Sequence, residues 1–181
     1  MFDYLNNERI ILREIEEKDW KAVHKYASKK IVSQYQPWGP NSEEESEAFV
    51  KQVIVDAEKD LRSRFVFAVI LKENARMIGA GELNIRDFSN KAGEIGYIVN
   101  PDFWGMGYAT EVAKLLVKFG FREFNLHRIY ATCDPRNIGS SKVLEKIGMI
   151  FEGRMRENLL MKDEWRDSLL YSILDKEWDN K

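Results

Sequence analysis

The chain has 181 residues, 44% of them hydrophobic and 32% charged, with a net charge of −2. That length suits a single domain over residues 1–181, and the near-neutral balance gives no electrostatic reason to expect nucleic acid or an anionic membrane as partner. The longest apolar run, Phe65 to Leu71, is too short to span a bilayer, Met1 to Glu8 lacks the basic-then-apolar order of an export signal, and a lone cysteine, Cys133, excludes an internal disulfide, all of which point to the cytoplasm.

In chain order, Arg9 to Ile15 reads as a first strand. Trp20, Val23, Ala27 and Ile31 then recur at helical spacing, which predicts a helix from Asp19 to Lys30. Pro37-Trp-Gly-Pro40 breaks both periodicities and forms a loop. Ser42 to Glu45 is a capping box that opens a second helix, with Phe49, Val50, Val53, Ile54, Ala57 and Leu61 on its buried face. Phe65 to Leu71 is a strand apolar on both faces, as in the middle of a covered sheet, and Met77 to Ile85 is the next. Glu94 to Val99 alternates until Pro101, which can donate no ladder hydrogen bond. After Gly105-Met-Gly107, the positions Ala109, Val112, Ala113, Leu116, Phe119 and Gly120 mark an amphipathic helix. Arg128 to Cys133 is another strand. Asn137 caps a short helix that runs to Ile147 and ends at Gly148, and Met149–Glu157 with Asp167–Leu174 close the chain as an antiparallel pair. The succession predicts an α/β (α+β) fold: a mixed, mostly antiparallel sheet with helices on both faces.

A strand, a glycine turn and a helix N-terminus make an anion site, because small residues let backbone N–H groups approach a phosphate and the helix dipole favours negative charge. A dinucleotide loop wants glycine at the sixth position, where this chain has Thr110, and the Gly-Lys-Ser/Thr of a triphosphate loop is absent. Trp104-Gly-Met-Gly107-Tyr-Ala109 resembles the Q/R-x-x-G-x-G/A pyrophosphate loop of the GNAT family of N-acetyltransferases. Glu94-Ile-Gly-Tyr97 is similar to the fourth strand of its ribosomal-protein N-terminal acetyltransferase branch. Trp104 departs from the pattern, which usually has Gln or Arg there. The resemblance implies the GNAT acyl-CoA N-acyltransferase fold, with the fourth and fifth strands splayed to admit acetyl-CoA.

Acetyl transfer to an amine needs a neutral amine, a place for the oxyanion and a proton for the thiolate. Glu94, which matches the family's strand-four general base, and Glu82 on the neighbouring strand are the candidate bases; for each, a solvated strand position is the alternative. The resemblance places the acyl carbonyl against the N–H of Ile98 or Val99. It puts the diphosphate on Trp104, Gly105, Met106, Gly107, Tyr108, Ala109 and Thr110, with Asn137, Ser140 and Lys142 alongside. Many members carry a tyrosine acid where this chain has Leu144; Ser140 fits the Asn-x-x-Ser variant and is the candidate donor to sulfur, or else a serine capping its own backbone. Tyr35, Trp38 and Tyr97 are expected to line the acceptor pocket, Trp38 as an exposed ring. His24 and His127 have no second ligand at metal spacing, so no metal is expected. The implied activity is N-acetylation of a primary amine, a protein N-terminus ahead of a polyamine or antibiotic, whose acid could come from Glu43 to Glu47. A non-catalytic acyl-CoA-sensing domain is the rival, and the C-terminal strand pair is a candidate homodimer surface.

Overall fold

The alternating and doubly apolar runs assemble into one seven-stranded sheet in a computed structural model that describes residues 5–178. Part of the segment read against an export signal, residues 1–4, lies outside the described residues, as do residues 179–181. The strands are β1 (Ile10–Glu14), β2 (Arg64–Leu71), β3 (Met77–Asp87), β4 (Ala92–Val99), β5 (Arg128–Cys133), β6 (Ile150–Met161) and β7 (Glu164–Leu174). They lie in the order β1-β2-β3-β4-β5-β7-β6, antiparallel throughout except for the parallel contact of β4 with β5. A parallel contact needs a crossover, and α4 (Tyr108–Phe124) supplies it.

The sheet is covered on both faces. Phe65, Phe67, Val69 and Leu71 of β2 pack with Val112, Leu116 and Phe119 of α4, a core that α5 (Ile138–Lys146) joins through Leu144. Val66, Ala68 and Ile70 turn the other way, onto Val23, Val50 and Val53 of α1 (Trp20–Ala27) and α3 (Glu43–Ala57). The doubly apolar reading of this strand is what the two cores require. Ser42 caps α3 as its sequence predicts: its Oγ accepts the Glu45 N–H at 3.2 Å, and its own N–H donates to Glu45 Oε2 at 2.8 Å.

Two apolar positions fall elsewhere than expected. Helix α3 stops at Ala57, so Leu61 is 89% exposed instead of buried. Asp56 takes Lys59 at 2.6 Å and Arg64 at 3.1 Å where the chain turns into β2. The first predicted helix is split as well. Ser28 Oγ donates to the His24 carbonyl at 2.7 Å and closes α1, and α2 (Lys30–Ser33) restarts in a new phase that buries Val32 and exposes Ile31.

Gly79 is fixed by packing. A Cβ there would lie 2.1 Å from the Ile98 carbonyl oxygen, so only glycine lets β3 pass this close to the end of β4. At Gly96, one strand over, a Cβ would meet nothing within 4 Å. Urea unfolding should therefore separate two substitutions that look alike: Gly79→Ala is expected to lose about 1–3 kcal/mol, and Gly96→Ala to stay within about 0.5 kcal/mol of the parent.

Candidate active site

β4 and β5 pair at only three positions: Ala92 with Arg128, Gly93 with Ile129 and Glu94 with Tyr130. Beyond Glu94 the strands part. The Asn100 N–H donates to the Ile78 carbonyl on β3 at 2.8 Å, so antiparallel alternation turns the peptide groups of Ile98 and Gly96 to β3 and those of Tyr97 and Val99 to the gap. Of the two amides offered for the acyl oxygen, the ladder spends that of Ile98 and leaves that of Val99. The Val99 carbonyl accepts the Trp104 Nε1–H at 2.6 Å, which fits this direction. Trp104 thus holds the start of the loop to the strand with its one polar side-chain atom.

At the mouth of the gap Gly105 and Gly107 have φ of +77° and +87°, left-handed values that L side chains rarely adopt, and Gly107 leads into α4. The loop is held from beneath by Arg9, which no local pattern in the sequence singles out. Its Nη2 donates to the Met106 carbonyl at 3.0 Å, its Nε donates to Glu111 Oε1 at 2.8 Å, and its guanidinium lies 4.5 Å from the Tyr108 ring centre. Because the peptide is trans, a Met106 carbonyl turned to Arg9 sends the Gly107 N–H the opposite way. Tyr108, Ala109 and Thr110 follow in the first turn of α4, where backbone N–H groups have no partner within the helix. A Cβ on Gly105 would meet nothing within 4 Å, so the cradle is open.

The far wall is the start of α5. Asn137 Oδ1 accepts the Ser140 N–H at 3.1 Å, which is the cap predicted for it. Tyr97 reaches across from β4: its hydroxyl lies 3.1 Å from Ser140 Oγ and 3.3 Å from the Ser140 carbonyl oxygen. Tyr97 therefore stands with Ser140, on the sheet face opposite the carboxylates, and not beside Tyr35 and Trp38. Lys142 is exposed on α5.

Glu82 and Glu94 share the other face with Gly96 between them, since Glu82 pairs with Gly96 and Asn84 with Glu94. Each carboxylate has an arginine, Arg64 at 3.1 Å from Glu82 and Arg86 at 2.8 Å from Glu94. Burial pushes the phenol of Tyr130 above its ordinary range, and the charge of Glu94 adds to it. A strap crosses above. Lys29 donates to Asn100 Oδ1 at 3.1 Å and to Asp102 Oδ1 at 3.0 Å beyond β4, and the Tyr35 ring lies 5.6 Å from the Arg136 guanidinium beyond β5. Trp38 is not the exposed ring expected from its prolines, for it packs against the core under α1 and α3.

A family model described as an acetyltransferase (GNAT) domain matches residues 9–150 of the chain. The chain belongs to the GNAT acetyltransferase family. It is 40% identical over 177 residues to the uncharacterized N-acetyltransferase YnaD of Bacillus subtilis, covering 97% of this chain and 99% of that protein. A crystal structure of a GNAT-family acetyltransferase from Bacillus anthracis superposes with a TM-score of 0.85 at 38% identity, over 96% of this chain and 99% of that one. More distant relatives include two Escherichia coli enzymes, spermidine N(1)-acetyltransferase (26% identical, covering 92% of this chain and 87% of the enzyme) and [ribosomal protein uS5]-alanine N-acetyltransferase (24%, covering 96% and 92%). The chain is accordingly an N-acetyltransferase. Its GNAT cradle has a residue whose replacement separates backbone shape from charge, since a Cβ on Gly105 meets nothing within 4 Å whereas one on Gly107 would lie 3.3 Å from Arg9 Nη2. Gly105→Val forces a branched side chain into a left-handed position at a cost of about 1–2 kcal/mol. The Kd for coenzyme A, measured by calorimetry, should rise about 5–30-fold.

Proposed function

We propose that this acetyltransferase moves the acetyl group of acetyl-CoA to the N-terminal α-amine of a protein. The observation that carries the reading is the pairing of both acceptor-side carboxylates with arginines, Glu82 with Arg64 and Glu94 with Arg86. A polyamine carries several positive charges and would need surplus negative charge there. A protein N-terminus presents one amine, and a single carboxylate suffices for it. At the head of α3, among the described residues, only Glu47 faces a cation, Lys51 at 3.8 Å, so the charge of Glu43, Glu44 and Glu45 is the feature that favours a polyamine instead. The resemblance of Glu94-Ile-Gly-Tyr97 to the ribosomal-protein branch points to the protein N-terminus.

Acetyl-CoA supplies a thioester, and the residues supply the rest. Glu94 stands at the fork of the strands, on the acceptor face, and takes the proton of the incoming ammonium directly or through one water, work that contributes about 10²–10⁴ in rate. The Val99 N–H receives the acyl oxygen as it gains charge. Ser140, on the opposite wall, donates to the sulfur. Gly105 and Gly107 shape the cradle for the diphosphate, and Lys142 adds charge near it.

Thiol release from acetyl-CoA, followed with peptides bearing free N-termini in parallel with spermidine and with Nα-blocked peptides, tests the acceptor. Free N-termini should accelerate release and blocked ones should not; acceleration by spermidine alone would overturn the assignment. Glu94→Gln should lower the peptide rate about 100-fold or more, and Glu82→Gln should do so by far less. Tight binding of acetyl-CoA without release for any amine would instead mark a sensing domain.

A further inference from the structure

The acetyl-transfer reading leaves one side chain without a task. Tyr97 lies on the α4 and α5 face of β4, away from the acceptor carboxylates, yet its hydroxyl meets Ser140 across the gap at 3.1 Å from Oγ and 3.3 Å from the carbonyl oxygen. These are contacts between residues 43 apart in sequence, and they join the two walls between which a thioester would lie. No phenol projects from α5 at the family's usual position, where Leu144 is fully buried in the core.

We propose that Tyr97 is a positioning residue for the leaving-group step, orienting the Ser140 hydroxyl so that its hydrogen points at the departing sulfur. The proposal rests on the acetyl-transfer function. As the C–N bond forms and the C–S bond breaks, the electron pair of the broken bond stays on sulfur. The thiolate then accepts a hydrogen bond from Ser140 Oγ–H and takes a proton from solvent; of the two protons the ammonium nitrogen gives up, the first goes to Glu94 before the C–N bond forms and the second goes to solvent as the amide forms. The net products are the acetylated amine and the free thiol.

The direction of the chain of hydroxyls decides whether Ser140 can help. A serine whose hydrogen is spent on Tyr97 donates nothing to sulfur. The phenol has two acceptors within reach on Ser140, the carbonyl and Oγ, and can shift its hydrogen from the first to the second as charge grows on sulfur. The order then becomes Tyr97 O–H to Ser140 Oγ–H to sulfur, in which each hydrogen bond polarises the next. Burial raises the Tyr97 phenol far above the ordinary phenolic range, so it remains protonated and remains a donor. Of the neighbouring groups, Asn137 is engaged at the Ser140 backbone N–H, and the Cys133 thiol, 3.5 Å from Ser141 Oγ, also interacts with the Ser140 hydroxyl, though sulfur is a weaker partner for it than the phenol.

A double-mutant cycle on the full chain tests this. Tyr97→Phe keeps the ring and its packing, and Ser140→Ala removes the donor. Each is expected to lower kcat for thiol release about tenfold, the worth of a hydrogen bond to a charged group, with KM for acetyl-CoA and the Kd of coenzyme A unchanged. Tyr97→Phe combined with Ser140→Ala should be no slower than the slower single variant, since one hydroxyl acts through the other. Losses that multiply in the double variant, or a raised KM in place of a lowered kcat, overturn the role. Wild-type kcat in Tyr97→Phe overturns it while leaving the acetyltransferase reading intact. Failure of the parent chain to release thiol with any amine overturns both.

Discussion

From Ile95 onward β4 has no strand partner on the side that faces β5, and unpaired backbone inside a sheet is costly unless other groups take its hydrogen bonds. Much of the neighbouring structure answers that condition. Gly79 brings β3 close enough to hold the end of β4 from the other side, with the Ile98 carbonyl in the space a side chain would need. Trp104 covers the Val99 carbonyl with its indole N–H. Tyr97 and Ser140 tie β4 to α5 at the level where the sheet can no longer do so. The walls are thus held apart and held together by side chains, which leaves the Val99 amide N–H for a ligand that pairs with it as a strand would.

The same economy governs charge. A helix N-terminus and a bound diphosphate attract each other, but Glu111 in the first turn of α4 would oppose the anion if it stood alone. Arg9 engages that carboxylate and, through the Met106 carbonyl, sets the orientation of the loop peptide, so one guanidinium neutralises and shapes at once. On the acceptor side Arg64 also binds Asp56, and the chain Asp56–Arg64–Glu82 anchors one carboxylate to α3. Glu94 has the more exposed Arg86 and stands at the fork itself, and on those two grounds it is proposed ahead of Glu82 as the base.

How much of this was legible in the chain depends on the range of the interaction. The strand stopped by Pro101, the glycine turn and the helix after it are local, and the structure has them where spacing and capping place them. So are the Ser42 and Asn137 caps, each closed within three residues. Arg9 lies 97 residues from Met106 and Tyr97 lies 43 from Ser140, so no periodicity connects them; strand alternation alone put Tyr97 on the face opposite Glu94, and that inference was available from the sequence. Leu61 and Ile31 were misplaced for one shared reason: apolar spacing was carried past a point where the chain changed direction, at Asp56 with its two cations and at Ser28 bonded to His24. Trp38 was read as exposed from its prolines, when a turn beside two apolar helices can fold an indole back onto them.

The single parallel contact in an otherwise antiparallel sheet explains why the site is where it is. Two parallel strands end at the same edge, and when each is followed by a helix, both helix N-termini arrive at that edge. Here α4 begins after β4 and α5 begins after β5, so the N-caps Gly107 and Asn137 lie at the same edge of the sheet with the positive ends of two dipoles. An antiparallel neighbour to β4 would have sent the second helix to the opposite edge. The parallel crossover therefore brings the glycine turn before α4 and the hydroxyl-bearing start of α5 to one edge, beside the β4 amides that have no strand partner, and the remaining antiparallel strands hold that edge in register.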